Sequence, residues 1–200
     1  LAAAATSGLA GRQAHLFTAL DRWGLERRPA VALHQDPLPG ARALAATVVA
    51  ANPHPGDLPL LGLYLEDREP AVRERVMLAA GRLGAAGLEL ARRGLADPSP
   101  EVRAAAAWAA SHGGAAAWPA LEAVLGAERE PVVLEALLAN LWRLDGAPWP
   151  AAAARYAAHA DPYLRRAAAF SLARSAEGAA RGAQRRLAAD PEPVIRATVL

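Results

Sequence analysis

Asp97-Pro98-Ser99-Pro100-Glu101-Val102-Arg103-Ala104-Ala105-Ala106 decides the fold, because the stretch returns along the chain. Asp190-Pro191-Glu192-Pro193-Val194-Ile195-Arg196-Ala197 repeats it, and Asp161-Pro162-Tyr163-Leu164-Arg165-Arg166-Ala167-Ala168-Ala169 repeats it in shortened form. Pro39, Pro70, Pro100, Pro131, Pro162 and Pro193 stand 31, 30, 31, 31 and 31 residues apart. Three positions after each comes an arginine (Arg42, Arg73, Arg103, Arg165 and Arg196), with Leu134 the exception. The residue just before is apolar: Ala41, Val72, Val102, Val133, Leu164 and Ile195. A fixed period of this length is the mark of a solenoid, in which each repeat packs on its neighbours alone.

Within residues 97–127 the turn Asp97-Pro98-Ser99 leads into a helix with proline in its first turn. Val102, Ala105, Ala106 and Ala109 then fall at helical spacing on one stripe. His112-Gly113-Gly114 ends the helix, and a second begins near Trp118-Pro119. Each unit is therefore a hairpin of two helices. First helices are expected over 39–51, 70–83, 100–111, 131–144 and 162–176. Second helices are expected over 57–66, 86–96, 117–126, 149–159 and 178–189. The implied units are 1–35, 36–66, 67–96, 97–127, 128–158, 159–189 and a partial one at 190–200. The first is a weaker copy, with Thr6-Ser7 placed to cap a helix and Arg12 lying 30 residues before Arg42.

Composition agrees. Of the 200 residues, 54% are hydrophobic but only 5% are aromatic, and alanine dominates. Alanine is the best helix former and loses no side-chain entropy, so an alanine-rich core means closely spaced helices. The net charge is only +2, although the isoelectric point is near 9.6. The two agree because the chain has no lysine, so little titrates between histidine and arginine. The high value is thus no sign of a nucleic-acid binder. Without cysteine there is no disulfide or thiolate chemistry, and the compartment stays open, the cytoplasm being slightly favoured. The longest strongly apolar run, 43–51, is too short to span a bilayer. A chain running from Leu1 to Leu200 reads as a segment of a longer, bacterial protein.

The quoted motifs resemble the short HEAT-like repeat of the type seen in phycobilisome lyase-like proteins. The resemblance covers nearly the whole chain and implies an all-α, right-handed α-solenoid, an armadillo-type superhelix. It also implies a ladder of repeated aspartates and arginines between neighbouring units: Asp36, Asp67, Asp97 and Asp190 with Arg42, Arg73, Arg103, Arg165 and Arg196. Asp67 and Asp97 are the expected partners of Arg73 and Arg103. Glu128 and His159 replace the aspartate in two units, and the unit carrying Leu134 is expected to lack its arginine contact.

Catalytic patterns are missing. No His-Glu-x-x-His or Gly-x-Ser-x-Gly run occurs. None of the histidines 15, 34, 54, 112 and 159 is followed by glutamate, unlike the iron-binding pairs of deoxyhypusine hydroxylase, which is built on similar repeats. No enzyme activity, metal or cofactor is therefore expected. Trp118 and Trp149 stand where other units have leucine and should be core, as should Trp108, which aligns with Leu78 and Phe170. Trp23 and Trp142 are undecided between core and surface.

Charge is uneven. Residues 57–145 hold 9 Arg against 13 Asp and Glu, a net of −4, whereas residues 146–200 hold 8 Arg against 4, a net of +4. Arg155, Arg181, Arg185 and Arg186 exceed what a ladder needs. They fall on second helices, which the resemblance places on the concave face. The expected function is a non-enzymatic scaffold binding a protein partner on that face, an acidic one being among the candidates. The alternatives are a repeat segment of a larger enzyme, bilin lyase-like or linked to a peptidyl-prolyl isomerase, or a nucleic-acid binder akin to HEAT-like DNA glycosylases. The last would need a stronger basic face.

Overall fold

A computed structural model describes residues 28–176 and 178–199. The expectations for Thr6, Ser7, Arg12, His15 and Trp23 lie outside these residues. The described chain is all helix and turn, with no strand. Helices α1 (Arg28–Leu33), α3 (Leu58–Leu65), α5 (Leu88–Gly94), α7 (Trp118–Ala127), α9 (Trp149–Ala154) and α11 (Gly178–Ala188) alternate with α2 (Pro39–Ala51), α4 (Pro70–Arg82), α6 (Pro100–Ser111), α8 (Pro131–Asn140), α10 (Pro162–Leu172) and α12 (Pro193–Val199). The even-numbered helices are those that follow the Pro-containing turn.

Proline sets each of these starts. The residue before it is extended in every case measured: Leu38, Glu69, Ser99, Glu130 and Asp161 have ψ between 117° and 125°. Proline forbids the helical region to its predecessor and tolerates the first helical position, where its missing N–H costs nothing. The chain turns back towards the second helix through Gly84 and Gly114, at φ +57° and +70°, a region open to glycine and strained for other residues.

Substantial contacts join helices of the same or adjacent hairpins, as a solenoid requires. The even-numbered helices stack one on the next from α2 to α12. Their facing sides are small: Ala45, Ala46, Ala79, Ala80, Ala106, Ala109, Ala110, Ala168 and Ala169 are all buried. The odd-numbered helices touch their counterparts less, except where α9 meets α11.

Three expected helices end early. Asn140 donates its side-chain amide to the Ala136 carbonyl at 2.8 Å. This local competition closes α8, and Leu141–Arg143 continue as a 3₁₀ turn. Residues 155–157 leave α9 through i→i−3 bonds, Arg155 to Ala152, Tyr156 to Ala153 and Ala157 to Ala154. α10 stops at Leu172, before a tight turn in which Arg174 N–H bonds the Ser171 carbonyl.

Trp118 and Trp149 are buried. Trp108 is half-buried and packs against the core, lying across the previous hairpin where Gly81 has no side chain, whereas Phe170 is exposed. Their position therefore flanks the core, and a bulky residue there needs a small neighbour beneath it.

Glycines give a paired test of the packing. A Cβ on Gly87 would fall 2.1 Å from the Ala80 carbonyl oxygen, a backbone atom that cannot swing away, whereas one on Gly62 meets nothing within 4 Å. Gly87→Ala should destabilise by about 1–3 kcal/mol, as overpacking does. Gly62→Ala, inside α3, should stabilise by up to ~1 kcal/mol. Urea unfolding of the two variants should show opposite signs.

Candidate functional site

The ordering device of the array lies in the turns before the even-numbered helices. Asp36, Asp67, Asp97 and Asp190 each accept the backbone N–H of the residue two positions on, at 2.8–2.9 Å. This is the Asx turn, which fixes the backbone just ahead of the proline. In Asp67, Asp97 and Asp190 the same carboxylate also receives a bidentate guanidinium from the preceding unit. Arg42 donates Nε and Nη2 to Asp67 at 2.6 and 3.0 Å, and Arg73 to Asp97 at 2.6 and 2.8 Å. Arg103 grips Glu128 at 2.8 and 3.3 Å, and Arg165 grips Asp190 at 2.8 and 3.1 Å. Each arginine turns its third nitrogen, Nη1, back to its own unit. There it donates to the carbonyls of the turn: Asp36 and Pro37 for Arg42, Asp67 and Arg68 for Arg73, Asp97 and Pro98 for Arg103.

The expected ladder therefore exists, with its pairing shifted by one unit. Arg73 and Arg103 do not pair with the carboxylates of Asp67 and Asp97 respectively; they hold those residues' carbonyls and reach forward to Asp97 and Glu128. Arg196 donates to the Asp190 and Pro191 carbonyls in the same way. These groups are largely shut from water, side-chain exposures running from 4% to 18%. Burial pushes the Asp67 and Asp97 carboxyls up, but the hydrogen bonds from Arg42 and Arg73, the turn N–H groups and the nearby arginine charges together outweigh it and hold both low. Arg165 holds Asp190 low, and Arg103 holds Glu128 down to about 2.

One rung is missing, and both of its halves are gone. Leu134 replaces the arginine and is buried; His159 replaces the carboxylate and is exposed. His159 keeps half of the aspartate's task, since its Nδ1 accepts the Asp161 N–H at 3.1 Å and so forms the turn without a charge. The junction is held instead by apolar contact and by Ser171, buried between α8 and α10. Its hydroxyl donates to the Leu138 carbonyl at 2.6 Å and accepts the Trp142 N–H at 3.4 Å. A cleft of about 470 Å³ opens at the missing rung, with Leu134, Tyr156 and His159 in its wall.

The four candidate arginines divide. Arg155, Arg181, Arg185 and Arg186 are all exposed, and no ion pair involves them among the described residues. α9 and α11 are adjacent, so the four share one stretch of the odd-numbered layer. Arg155 also lines the cleft; the other three do not. Trp142, which the sequence left undecided, is half-buried and packs against the core. Its ring lies under the Arg143 and Arg174 guanidiniums at 4.4 and 5.2 Å, and its Nε1 is buried without a hydrogen-bond partner. Among the described residues no group of three or more histidines and carboxylates is placed to hold a metal, and no helix is long and apolar enough to cross a membrane.

Repeated helix hairpins of this kind have known counterparts. Residues 58–142 match the family of HEAT repeats. Outside the HEAT-repeat match the same helix pairs continue on both sides, so the armadillo/HEAT-like solenoid extends over the described chain. The crystal structure of YibA from Escherichia coli superposes with a TM-score of 0.67 at 14% identity, over 95% of this chain and 73% of YibA. A designed armadillo repeat protein in complex with the peptide (KR)4 superposes at 0.58 with 16% identity, over 88% of this chain and 97% of the design. A second designed armadillo repeat protein superposes at 0.53, again with 16% identity, over 87% and 97% of the two chains. At such identities the likeness is one of fold. No curated protein sequence matches the chain significantly.

Two outcomes follow from the rungs. Arg73→Leu leaves Asp97 buried and unpaired and should cost about 3 kcal/mol in urea unfolding. Adding Asp97→His, in imitation of the natural Leu134/His159 junction, should recover part of that loss, because no buried charge is then left alone. The second outcome concerns acid. The rung carboxylates have folded pKa values below their unfolded ones. Their contribution is complete above the unfolded value and is lost as pH falls through the folded one. For Glu128 that window runs from 4.5 down to about 2. Melting temperatures taken at pH 6, 4 and 2.5 should fall most steeply over the last interval.

Proposed function

We propose that the chain is a non-enzymatic interaction module that binds an acidic protein segment along the odd-numbered helices of its C-terminal part. One observation carries this reading: the ladder arginines are spent on structure, while Arg155, Arg181, Arg185 and Arg186 are exposed and have no carboxylate partner among the described residues. Unpaired guanidiniums on a rigid face attract carboxylates, and Arg181 and Arg185 share one side of α11, being four residues apart. HEAT repeats are a type that generally mediates protein interactions, and a designed armadillo protein of similar fold carries the basic peptide (KR)4. Here the net of +4 over residues 146–200 favours the opposite charge. No catalytic step is part of this reading. A scaffold of this kind acts by holding its partner on a preformed surface.

The binding should be steered by charge. Fluorescence anisotropy with a labelled octaglutamate peptide should show affinity that falls as salt rises, chiefly through slower association. Arg181→Glu with Arg185→Glu should weaken binding at least tenfold and leave the circular dichroism unchanged. Equal affinity of the double variant for octaglutamate would remove this face from consideration.

A further inference from the structure

The cleft at the missing rung combines features that occur together nowhere else on the described chain. Its floor is apolar, with Leu125, Leu134 and Leu164 all buried. At about 470 Å³ it falls in the range of small-ligand pockets. Tyr156 forms one side, its ring stacked on His159 with centroids 5.7 Å apart and its hydroxyl donating to the Leu125 carbonyl at 3.3 Å. Arg129 and Arg155 stand at the rim, both exposed. Arg129 donates Nη1 to its neighbour's carbonyl at Glu128, and Arg155 donates Nε to the Ala152 carbonyl at 3.4 Å. Neither is paired with a carboxylate among the described residues. Both cations line the same cleft as Tyr156.

Two carboxylates also line the cleft. Glu128 is already neutralised by Arg103 and by the N–H groups of Arg129 and Glu130. Asp161 caps α10 through the Tyr163 N–H at 2.8 Å, with its charge at the helix N-terminus. The uncommitted charge of the cleft is therefore positive and sits above an apolar floor.

We propose that this cleft binds a peptide segment that offers an acidic side chain beside an apolar one, the carboxylate between Arg129 and Arg155 and the apolar group on Leu134. Loss of both rung residues is what makes room. A retained arginine at 134 would fill the space and a retained aspartate at 159 would repel the guest. The inference rests on reading the chain as an interaction module, and it is independent of Arg181, Arg185 and Arg186.

The test is a ¹⁵N NMR titration with the capped peptide Gly-Leu-Glu-Gly, with Gly-Leu-Gln-Gly and N-acetylglutamate as controls. Amide shifts should centre on residues 129, 134, 156 and 159, and the glutamine peptide should bind at least fivefold more weakly. Rebuilding the rung with Leu134→Arg and His159→Asp should abolish the shifts while leaving Arg129 and Arg155 in place. Arg129→Ser with Arg155→Ser, both on the surface, should weaken binding at least fivefold and serves if the rebuilt rung does not fold. Arg181→Glu with Arg185→Glu should leave these shifts within twofold, which separates this site from the α11 face. Unchanged binding by a folded rebuilt rung or by the serine variant, shifts confined to α11, or equal binding of N-acetylglutamate would overturn the proposal.

Discussion

The array depends on a single side chain doing two jobs. At Asp67, Asp97 and Asp190 a turn aspartate shapes its own backbone by accepting the N–H two residues on, and with the same carboxylate it takes the guanidinium of the previous unit; Glu128 does both in a fourth turn. Local geometry and inter-unit register are thereby tied to one atom group. A turn that opened would release the arginine, and an arginine that left would expose a buried charge. The bidentate fork suits this, because two parallel N–H groups fix direction as well as distance. A lysine would supply a point charge and no orientation, and it could not reach back with a third nitrogen to the carbonyls of its own turn.

Such a rung is not chiefly a source of stability. Burying an ion pair costs nearly what it returns, and an apolar pair of similar volume can do as well. The chain contains its own demonstration. Where Leu134 and His159 stand, the turn is still closed by a ring nitrogen, the helices still pack, and Ser171 ties the neighbouring helix ends. What that junction gives up is the alignment that the fork imposes. It also gives up the bulk of the arginine, and an apolar cleft remains in its place. The rule that halves of a buried pair are kept or lost together is visible in this one molecule, at four intact rungs and one empty one.

Most of this was legible in the residues. The period of the prolines fixed the helix pairs, because proline constrains both itself and its predecessor whatever lies around it. The leucine positions shared by Trp118 and Trp149 located core. Two things were not legible. The first was the direction of pairing: Arg73 stands six residues after Asp67 and 24 before Asp97, and it gives its fork to the carboxylate of Asp97 and its third nitrogen to the carbonyl of Asp67. Only the stacking of units decides which one the fork meets. The second was exposure at the position of Leu78, Trp108 and Phe170. A common apolar period looks the same whether it faces the centre or the flank, and Trp108 lies on the flank because Gly81, a residue of another helix, leaves space for it. The early end of α8 had a signal in Asn140, whose side chain competes for helix carbonyls, but a single polar residue in an apolar run is weak evidence alone.

The placement of the unpaired arginines follows from the same division of labour. In the even-numbered layer, small side chains bring the helices close, and several of its basic residues are drawn into rungs or over rings, as Arg143 and Arg174 are over Trp142. The odd-numbered layer is looser, and α11 buries only Ala180 and Leu187. Its remaining positions answer to solvent or to a partner and not to packing. A helix that needs so little of its surface for the fold can carry Arg181, Arg185 and Arg186 without structural cost, which is where a repeat protein has freedom to acquire a binding face. The cleft at Leu134 reaches the same end by the opposite route. There a structural pair was removed, and the space it left is bordered by the one candidate arginine, Arg155, that belongs to both surfaces.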